Sequence, residues 1–241
     1  PAETWEGKPV AVGGRCEPLA GGWRGALCQV RGDWAFYKEL FGFPAWNAPK
    51  RMCFICKSSS DGPLSWVQFG PDAGWRKTKW PHEAYLRFLR RAGLAIPALL
   101  VCWIGFRLDC VMVDVLHTVD QGVASHVVAN VTWAFAVVRK VFGGGTQKDQ
   151  IANLYAHLNK WYSSVKETTK VQGKLTVERL RTQGQWPKLK AKAAATRHLA
   201  SYALQLCQEF GGASEEDRDM RAVCTLLVQF YKILNSESQF L

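Results

Sequence analysis

Acidic residues are scarce in this sequence. Its 241 residues include 31 Lys and Arg against 20 Asp and Glu, which gives a formal net charge of +11 at pH 7. This imbalance favours a polyanionic partner, with nucleic acid expected first and an anionic membrane surface second. Charged residues make up only 21% and hydrophobic residues 48%, a balance that excludes intrinsic disorder and predicts a globular protein.

Internal repeats, a secretory leader and a cysteine framework are also missing. Among eight cysteines, the one closely spaced pair is Cys53-Phe-Ile-Cys56. We therefore expect reduced thiols or metal ligands rather than disulfides, in an intracellular protein. Because Pro1 is not an initiator residue, we also expect a fragment of a longer chain or an internal reading frame.

Formal charge is absent from residues 121–138, a run long enough to suggest a short membrane span. Polar side chains interrupt this run at five positions: Gln121, Ser125, His126, Asn130 and Thr132. A buried amphipathic helix therefore explains it better than a transmembrane helix, and no membrane partner is expected.

The rest of the chain is organised around a predicted buried strand, residues 108–113, that leads into this long helix. Polar residues gather where the strand ends: Asp114, His117, Asp120 and Gln121. They are a site candidate, because open α/β sheets bind ligands at the carboxyl ends of their strands. A structural role is equally open: Asp114 can cap a turn, Thr118 with Gln121 matches a capping box, and His117 can be a core histidine.

Asp33 lies at another predicted strand-to-helix junction. Residues 26–30 predict a short strand, and the segment WAFYKELFGF that follows Asp33 has the apolar spacing of a short helix. Asp33 is therefore a candidate site residue or the N-cap of that helix, since Asp is a preferred N-cap residue.

An irregular insertion, residues 44–82, contains the cysteine pair. A Cys-x-x-Cys turn brings two thiolates to one side of a tetrahedral zinc ion, so Cys53 and Cys56 predict half of a structural zinc site. The other ligands would come from four candidates: His82, Cys102, Cys110 and His117. Two reduced cysteines in a turn are the alternative.

Helices are predicted to dominate after residue 115, near residues 147–168, 174–183, 189–210 and 215–235. Ser214 would open the last of them, with Asp217 at its N3 position in a weaker form of the capping box. Residues 96–104 are an apolar run that fits a strand or a short helix. Between positions 166 and 197 the chain has nine Lys and Arg against two Glu, beside Trp186 and His198. Such a run predicts either a solvated basic face or a surface that follows a phosphate backbone.

Several segments, in this order, resemble the transposase domains of CACTA-type (En/Spm-like) DNA transposons: GDWAFYKELFGF, CFIC, VDVLHTVDQGVASHVVANVTW and LKAKAAATRHL. The likeness covers about residues 26–210, and the Asp-x-x-His segment is its most characteristic part. It implies a nuclear DNA-binding protein with an RNase H-like DDE/D core, in which three carboxylates hold two Mg²⁺ ions for phosphoryl transfer.

The resemblance assigns roles to individual residues. Asp33 and Asp114 would be catalytic acids, His117 would complete the Asp–His signature, and Cys53 and Cys56 would be the thiolate pair of the family's insertion. The expected DNA contacts are in the basic run: Lys188, Lys190, Lys192 and Arg197.

The chain departs from the family's pattern in two places. Three acids precede Asp33, and none ends a convincing strand: Glu3, Glu6 and Glu17. Residues 194–197 read Ala-Ala-Thr-Arg, where relatives often have an acid before the Arg. The resemblance therefore implies a truncated or decayed transposase that lacks a complete catalytic triad.

These inferences predict an α+β, predominantly α-helical protein in three parts. Residues 1–43 would be a partial RNase H-like core, residues 44–82 the CxxC insertion and possible zinc knuckle, and residues 83–241 buried strands followed by helices. Two alternatives to a transposase fragment remain. One is a non-enzymatic, zinc-stabilised nucleic-acid-binding or interaction module, and the other is a structural helical domain whose charge is incidental.

Overall fold

A computed structural model describes residues 2–3, 9–10, 29–45, 47–48, 50, 53–102 and 106–236. The chain divides into two compact units, Pro1–Val113 and Asp114–Leu241. The elements follow in this order: β1 (Ala2–Glu3), β2 (Pro9–Val10), α1 (Trp34–Phe41), α2 (His82–Arg91), α3 (Ala98–Cys102), α4 (Ala124–Trp133), α5 (Gln147–Ser164), α6 (Val177–Leu180), α7 (Ala193–Glu209) and α8 (Glu215–Ser236).

The predicted predominance of helix is confirmed, whereas the described residues contain no sheet of the size that an RNase H-like core has. Strands β1 and β2 pair antiparallel over two residues each. The predicted strand at residues 108–113 is wrong: Leu108–Cys110 forms a 3₁₀ turn, and only Val111 pairs, in parallel, with Val30. The apolar run at 96–104 contains the short helix α3.

An aromatic core holds the first unit together. Helix α1 buries Tyr37 and Phe41, and Phe43 stacks on Phe54 with ring centroids 4.5 Å apart. The Tyr37 hydroxyl accepts a hydrogen bond from the Gly32 amide at 2.9 Å and lies 2.7 Å from the Met112 carbonyl oxygen, to which it can donate. A buried hydroxyl needs such partners, so Tyr37 fastens the start of α1 to the segment around residue 112.

The second unit is a helical assembly around one continuous helix, Leu116–Val138. Its two ends, Leu116–Val123 and Ala134–Val138, are π-helical, and α4 lies between them. Helices α5 and α7 contribute most of the apolar side chains that pack against it, including Leu154, Leu158 and Leu206. This helix is long and apolar enough to cross a membrane by length and composition, and half of its most apolar 18-residue window is buried inside the protein.

The predicted helix boundaries hold best where a cap fixes them. Helix α5 begins with a capping box between Thr146 and Asp149, and α8 begins after Ser214, whose hydroxyl accepts a hydrogen bond from the Asp217 amide, as predicted. The helix predicted from residue 189 begins instead at Ala193, since residues 187–192 are not helical. Some predictions lie outside the described residues: Glu6, Glu17, positions 26–28, and the side chains of Glu3 and Cys102.

Candidate nucleic-acid interface

Asp33, predicted either as a catalytic acid or as a cap, caps α1. Its Oδ1 accepts a hydrogen bond from the Phe36 amide at 2.7 Å, the bond by which an N-cap side chain satisfies a free amide of the first helical turn. The residue belongs to the first unit. Its catalytic role stays a prediction.

Asp114 and His117 form a local pair at the start of the second unit. Asp114 accepts the His117 amide on Oδ1 at 3.3 Å, and its Oδ2 lies 2.5 Å from His117 Nδ1. Asp114 therefore caps the helix start, and the predicted Thr118–Gln121 capping box is wrong because the Thr118 amide already donates within the helix to the Asp114 carbonyl. The imidazole is 53% exposed, so its ring is held by a carboxylate yet open to solvent.

Asp120, the second acid of this cluster, is buried and bonded to distant residues. Its side chain is 1% exposed and accepts Arg197 Nη2 at 2.7 Å and the Tyr231 hydroxyl at 2.6 Å. These bonds join the π-helical segment Leu116–Val123 to α7 and α8. The Asp120 hydrogen bond also raises the pKa of Arg197. An acid in a mainly apolar helix indicates that a buried partner exists. The sequence could not identify Arg197 as that partner, because it lies 77 positions away.

Arg197 is a predicted DNA contact, but its guanidinium already forms an ion pair with Asp120. Its side chain is one-third exposed, and the guanidinium also lies over the Tyr231 ring at 5.4 Å. The observed geometry gives Arg197 a structural role, and DNA contact by this residue stays a prediction.

The cysteine pair lies in a turn of the first unit. Cys53 Sγ accepts amide hydrogen bonds from Ile55 at 3.3 Å and from Cys56 at 3.4 Å. Burial raises the pKa of the Cys53 thiol to about 11, so deprotonation needs a nearby cation. Both cysteines line a cavity of about 410 Å³ together with Lys57 and Trp80.

The remaining zinc ligands are not assembled in the part of the chain that the structure describes. There, no group of three or more His, Cys, Asp or Glu side chains is close enough to hold a metal ion. Among the described residues, neither His82 nor Cys110 lies in such a group with the pair, and zinc binding stays a prediction. His82 packs instead against the Phe106 ring, with centroids 5.9 Å apart.

Three exposed lysines form a row on the extended segment that precedes α7: Lys188, Lys190 and Lys192 (the lysine row). They alternate with Pro187 and Leu189, which are buried, and with Ala191, which is half-buried, because an extended chain sends successive side chains to opposite faces. None of the three lies within ion-pair distance of a described acid. Glu178 is the nearby acid: its pKa is lowered by hydrogen bonds from its own amide and from Thr176, and then by the charges of Lys148 and Lys190. The structure therefore brings together three of the predicted DNA contacts.

Backbone hydrogen bonds fix this segment in place. The Lys188 and Lys190 amides donate to the carbonyls of Leu180 and Arg179, each at 2.8 Å, and the Leu189 amide donates to the Ser125 carbonyl at 3.0 Å. The lysine row thus rests on the end of α6 and on the start of α4. An anion that binds here meets a backbone that is already ordered, so only the lysine side chains lose freedom on binding.

Two arginines of the same basic run face the protein. Arg179 donates from Nη1 to the carbonyls of Gln172 and Lys174. Arg181 donates from Nε to the Gln185 carbonyl at 2.9 Å and lies over the Trp133 ring at 5.3 Å. Both hold the loop around the lysine row, so the predicted basic surface is narrower than the sequence run suggests.

Comparisons with protein-family models, curated proteins and solved structures found no match to this chain. The likeness to CACTA-type transposases therefore rests on the sequence segments quoted above.

Proposed function

We propose that this protein binds nucleic acid through the lysine row and descends from a CACTA-type DDE/D transposase, without cutting DNA itself. The observation that carries the binding proposal is the row's arrangement: three ammonium groups at alternate positions of a fixed segment, with no ion-paired acid among the described residues. Phosphates are the expected counterions, because their binding releases the small cations condensed on nucleic acid.

The chemistry of lysine limits what this surface recognises. An ammonium group is a point charge that contacts phosphate oxygens, and phosphate contacts position a protein on nucleic acid without reading its sequence. We therefore propose sequence-independent binding that weakens steeply as salt increases, in a nuclear protein.

The first prediction concerns the lysine row. Replacing Lys188, Lys190 and Lys192 with Gln should weaken duplex binding equally for unrelated sequences and lower the salt slope by up to about 2.7, since each phosphate contact contributes roughly 0.9. Fluorescence anisotropy of labelled duplexes at several salt concentrations measures this slope.

The matched control replaces three exposed lysines elsewhere in the second unit with Gln: Lys140, Lys160 and Lys232. It removes the same charge from dispersed positions after the central helix, on α5 and on α8, so it should change the slope much less. Equal slopes for wild type and the lysine-row variant would contradict the proposal.

Descent from a DDE/D transposase is supported by the order of the sequence segments GDWAFYKELFGF, CFIC, VDVLHTVDQGVASHVVANVTW and LKAKAAATRHL. Within the first unit, Val30 pairs in parallel with Val111, and Val30 precedes Asp33 by three residues. We propose that this single pair is a remnant of an RNase H-like core. In an intact ancestor, Asp33 and Asp114 would hold Mg²⁺.

Loss of catalysis follows from what the acids now do. Two-metal chemistry needs several carboxylates whose oxygens converge on cations roughly 4 Å apart. Asp33 uses one oxygen to cap α1, Asp114 uses both on His117, and Asp120 is buried against Arg197 and Tyr231. We therefore propose a binding protein rather than a nuclease.

A zinc-stabilised turn is a second candidate function, for the first unit. The two amide hydrogen bonds to Cys53 Sγ favour it, because donors aimed at a sulfur stabilise the thiolate that zinc requires. Cys53 and Cys56 would supply two of the four ligands.

The second prediction tests this zinc site. Purified protein should contain about one equivalent of zinc, as a closed structural site requires, and Cys53→Ser should release it and loosen the insertion. Elemental analysis with thermal unfolding measures both effects, and Cys110→Ser is the control that should retain the metal. Wild-type protein that contains no zinc and unfolds at the same temperature as Cys53→Ser would contradict the zinc site.

A further inference from the structure

Trp186 is the most exposed large hydrophobic side chain among those described, with 82% of its surface open to solvent. An indole normally buries about 150–250 Å² of surface and is rarely left in water. No ring contact or hydrogen bond to the Trp186 side chain occurs within the described part of the chain. The side chain is therefore available to a ligand.

The loop that carries Trp186 is held firmly. The Gln185 amide donates to the Thr182 carbonyl at 3.0 Å, across a turn in which Gly184 adopts φ of 74°. On the other side of Trp186, Pro187 is buried and its carbonyl accepts a hydrogen bond from Asn130 Nδ2 at 3.2 Å. Because hydrogen bonds hold the residues on both sides of Trp186, the backbone position of this exposed side chain is fixed.

Trp186 also shares its face with the lysine row. Positions 186, 188, 190 and 192 are exposed, whereas positions 187 and 189 are buried. Alternate residues of an extended chain lie roughly 6.6 Å apart on one face, so Trp186, Lys188 and Lys190 leave the chain along one line, and Lys192 follows after a bend at position 191.

We propose that this line, residues 186–192, is a binding track for single-stranded DNA. The Trp186 indole stacks on an unpaired base, and the lysine row contacts the phosphates that follow. Proteins bind single strands by this combination of an aromatic platform and a basic groove, whereas in a duplex the base faces are already stacked on each other. The inference rests on the proposed nucleic-acid binding and names the form of nucleic acid.

The test measures anisotropy of fluorescein-labelled oligothymidylate and of a blunt hairpin duplex, with the whole chain, at several salt concentrations. Trp186→Ala should weaken oligothymidylate binding by about tenfold or more, leave duplex binding within about twofold, and leave the salt slope unchanged because no charge is removed. Trp186→Phe should restore most of the affinity. Trp66→Ala, which removes a half-exposed tryptophan of the first unit, should have no effect.

Photo-cross-linking of the wild-type chain to oligothymidylate containing 5-iodouracil avoids any folding defect of a variant. Mass spectrometry should find the cross-link on Trp186, and cross-links confined to other residues would overturn the track. Wild-type affinity of Trp186→Ala for the single strand, or an equal loss on both DNA forms, would overturn it while leaving the proposed function intact. A wild-type chain that binds neither DNA would overturn both.

Discussion

At the scale of single residues, Asp120 connects distant parts of the second unit. Its carboxylate lies inside the protein and joins three helical segments through Arg197 and Tyr231. A buried carboxylate is tolerated only when charge and hydrogen bonds compensate for the lost hydration. Arg197 therefore matters first as the partner of Asp120.

The third prediction follows from this pair. Asp120→Asn should lower the free energy of unfolding by about 3 kcal/mol, because it leaves the guanidinium of Arg197 without its charged partner. Tyr231→Phe is the matched control, since it removes one hydrogen bond and keeps the ring, and should lower it by about 1 kcal/mol. Urea unfolding measures both values. Equal stability of Asp120→Asn and wild type would contradict the anchoring role.

Sequence analysis predicted single residues well where the interaction is local. The cap by Asp33 and the bond between Ser214 and Asp217 connect residues three positions apart, so their spacing alone indicates them. The pairing of Asp120 with Arg197 depends on tertiary packing between distant segments, and no spacing rule reveals it.

At the scale of elements, the most informative error concerns residues 187–192. Lys, Leu and Ala are good helix formers, and this composition led to a helix predicted from residue 189. Pro187 and the hydrogen bonds to Leu180, Arg179 and Ser125 hold the segment extended, so tertiary contacts override propensity. The exposure of the lysine row and Trp186 on one face follows from that extended form, which is why sequence indicated the basic residues but not their arrangement.

Ion pairs hold the first turn of α8 in place. Arg139 pairs with Asp217 and, at 3.2 Å, with Glu216. The Ser214 hydroxyl donates to Asp217 Oδ2 at 2.7 Å. The Arg139 hydrogen bond, followed by that of Ser214, holds the pKa of Asp217 below its ordinary value.

The fourth prediction is the pH dependence that results. A lowered pKa in the folded state adds stability above the ordinary pKa of Asp, about 3.9, and this stability is lost as pH falls through the folded value. Asp217→Asn should therefore melt at a lower temperature than wild type at pH 7, and the difference should vanish in acid. Asp219 is an exposed residue of the same helix, and Asp219→Asn should melt at the wild-type temperature both at pH 7 and in acid. A gap between Asp217→Asn and wild type that persists in acid would refute the assigned cause.

At the scale of the whole molecule, the two units carry different parts of the proposed ancestry. Asp33 and the cysteine pair belong to Pro1–Val113, whereas Asp114, His117 and the lysine row belong to Asp114–Leu241. The second unit has the well-packed helical core and the lysine row, so the proposed nucleic-acid binding belongs to this unit.

The fifth prediction is that the chain does not cut DNA. Strand-cleavage and strand-transfer assays with Mg²⁺ and Mn²⁺, on DNA that ends in the terminal repeats of CACTA-type elements, should give no product for wild type or for Asp33→Ala. The reason is that the two acids predicted to be catalytic, Asp33 and Asp114, already contact other groups in this fold: the Phe36 amide and the His117 ring. Product that forms with wild type and disappears with Asp33→Ala would show a working catalytic site.

The π-helical segments at both ends of α4 make the length of the central helix adjustable. A π turn closes on the fifth residue instead of the fourth, so it accommodates one residue more than an α turn. Loss of a single residue within Leu116–Val123 would convert that turn to ordinary α geometry and leave the angular phase of α4 unchanged. The same deletion inside Ala124–Trp133 would rotate one part of the helix against the other by about 100° and disrupt the core. The helix therefore has its tolerance for insertions and deletions at its ends.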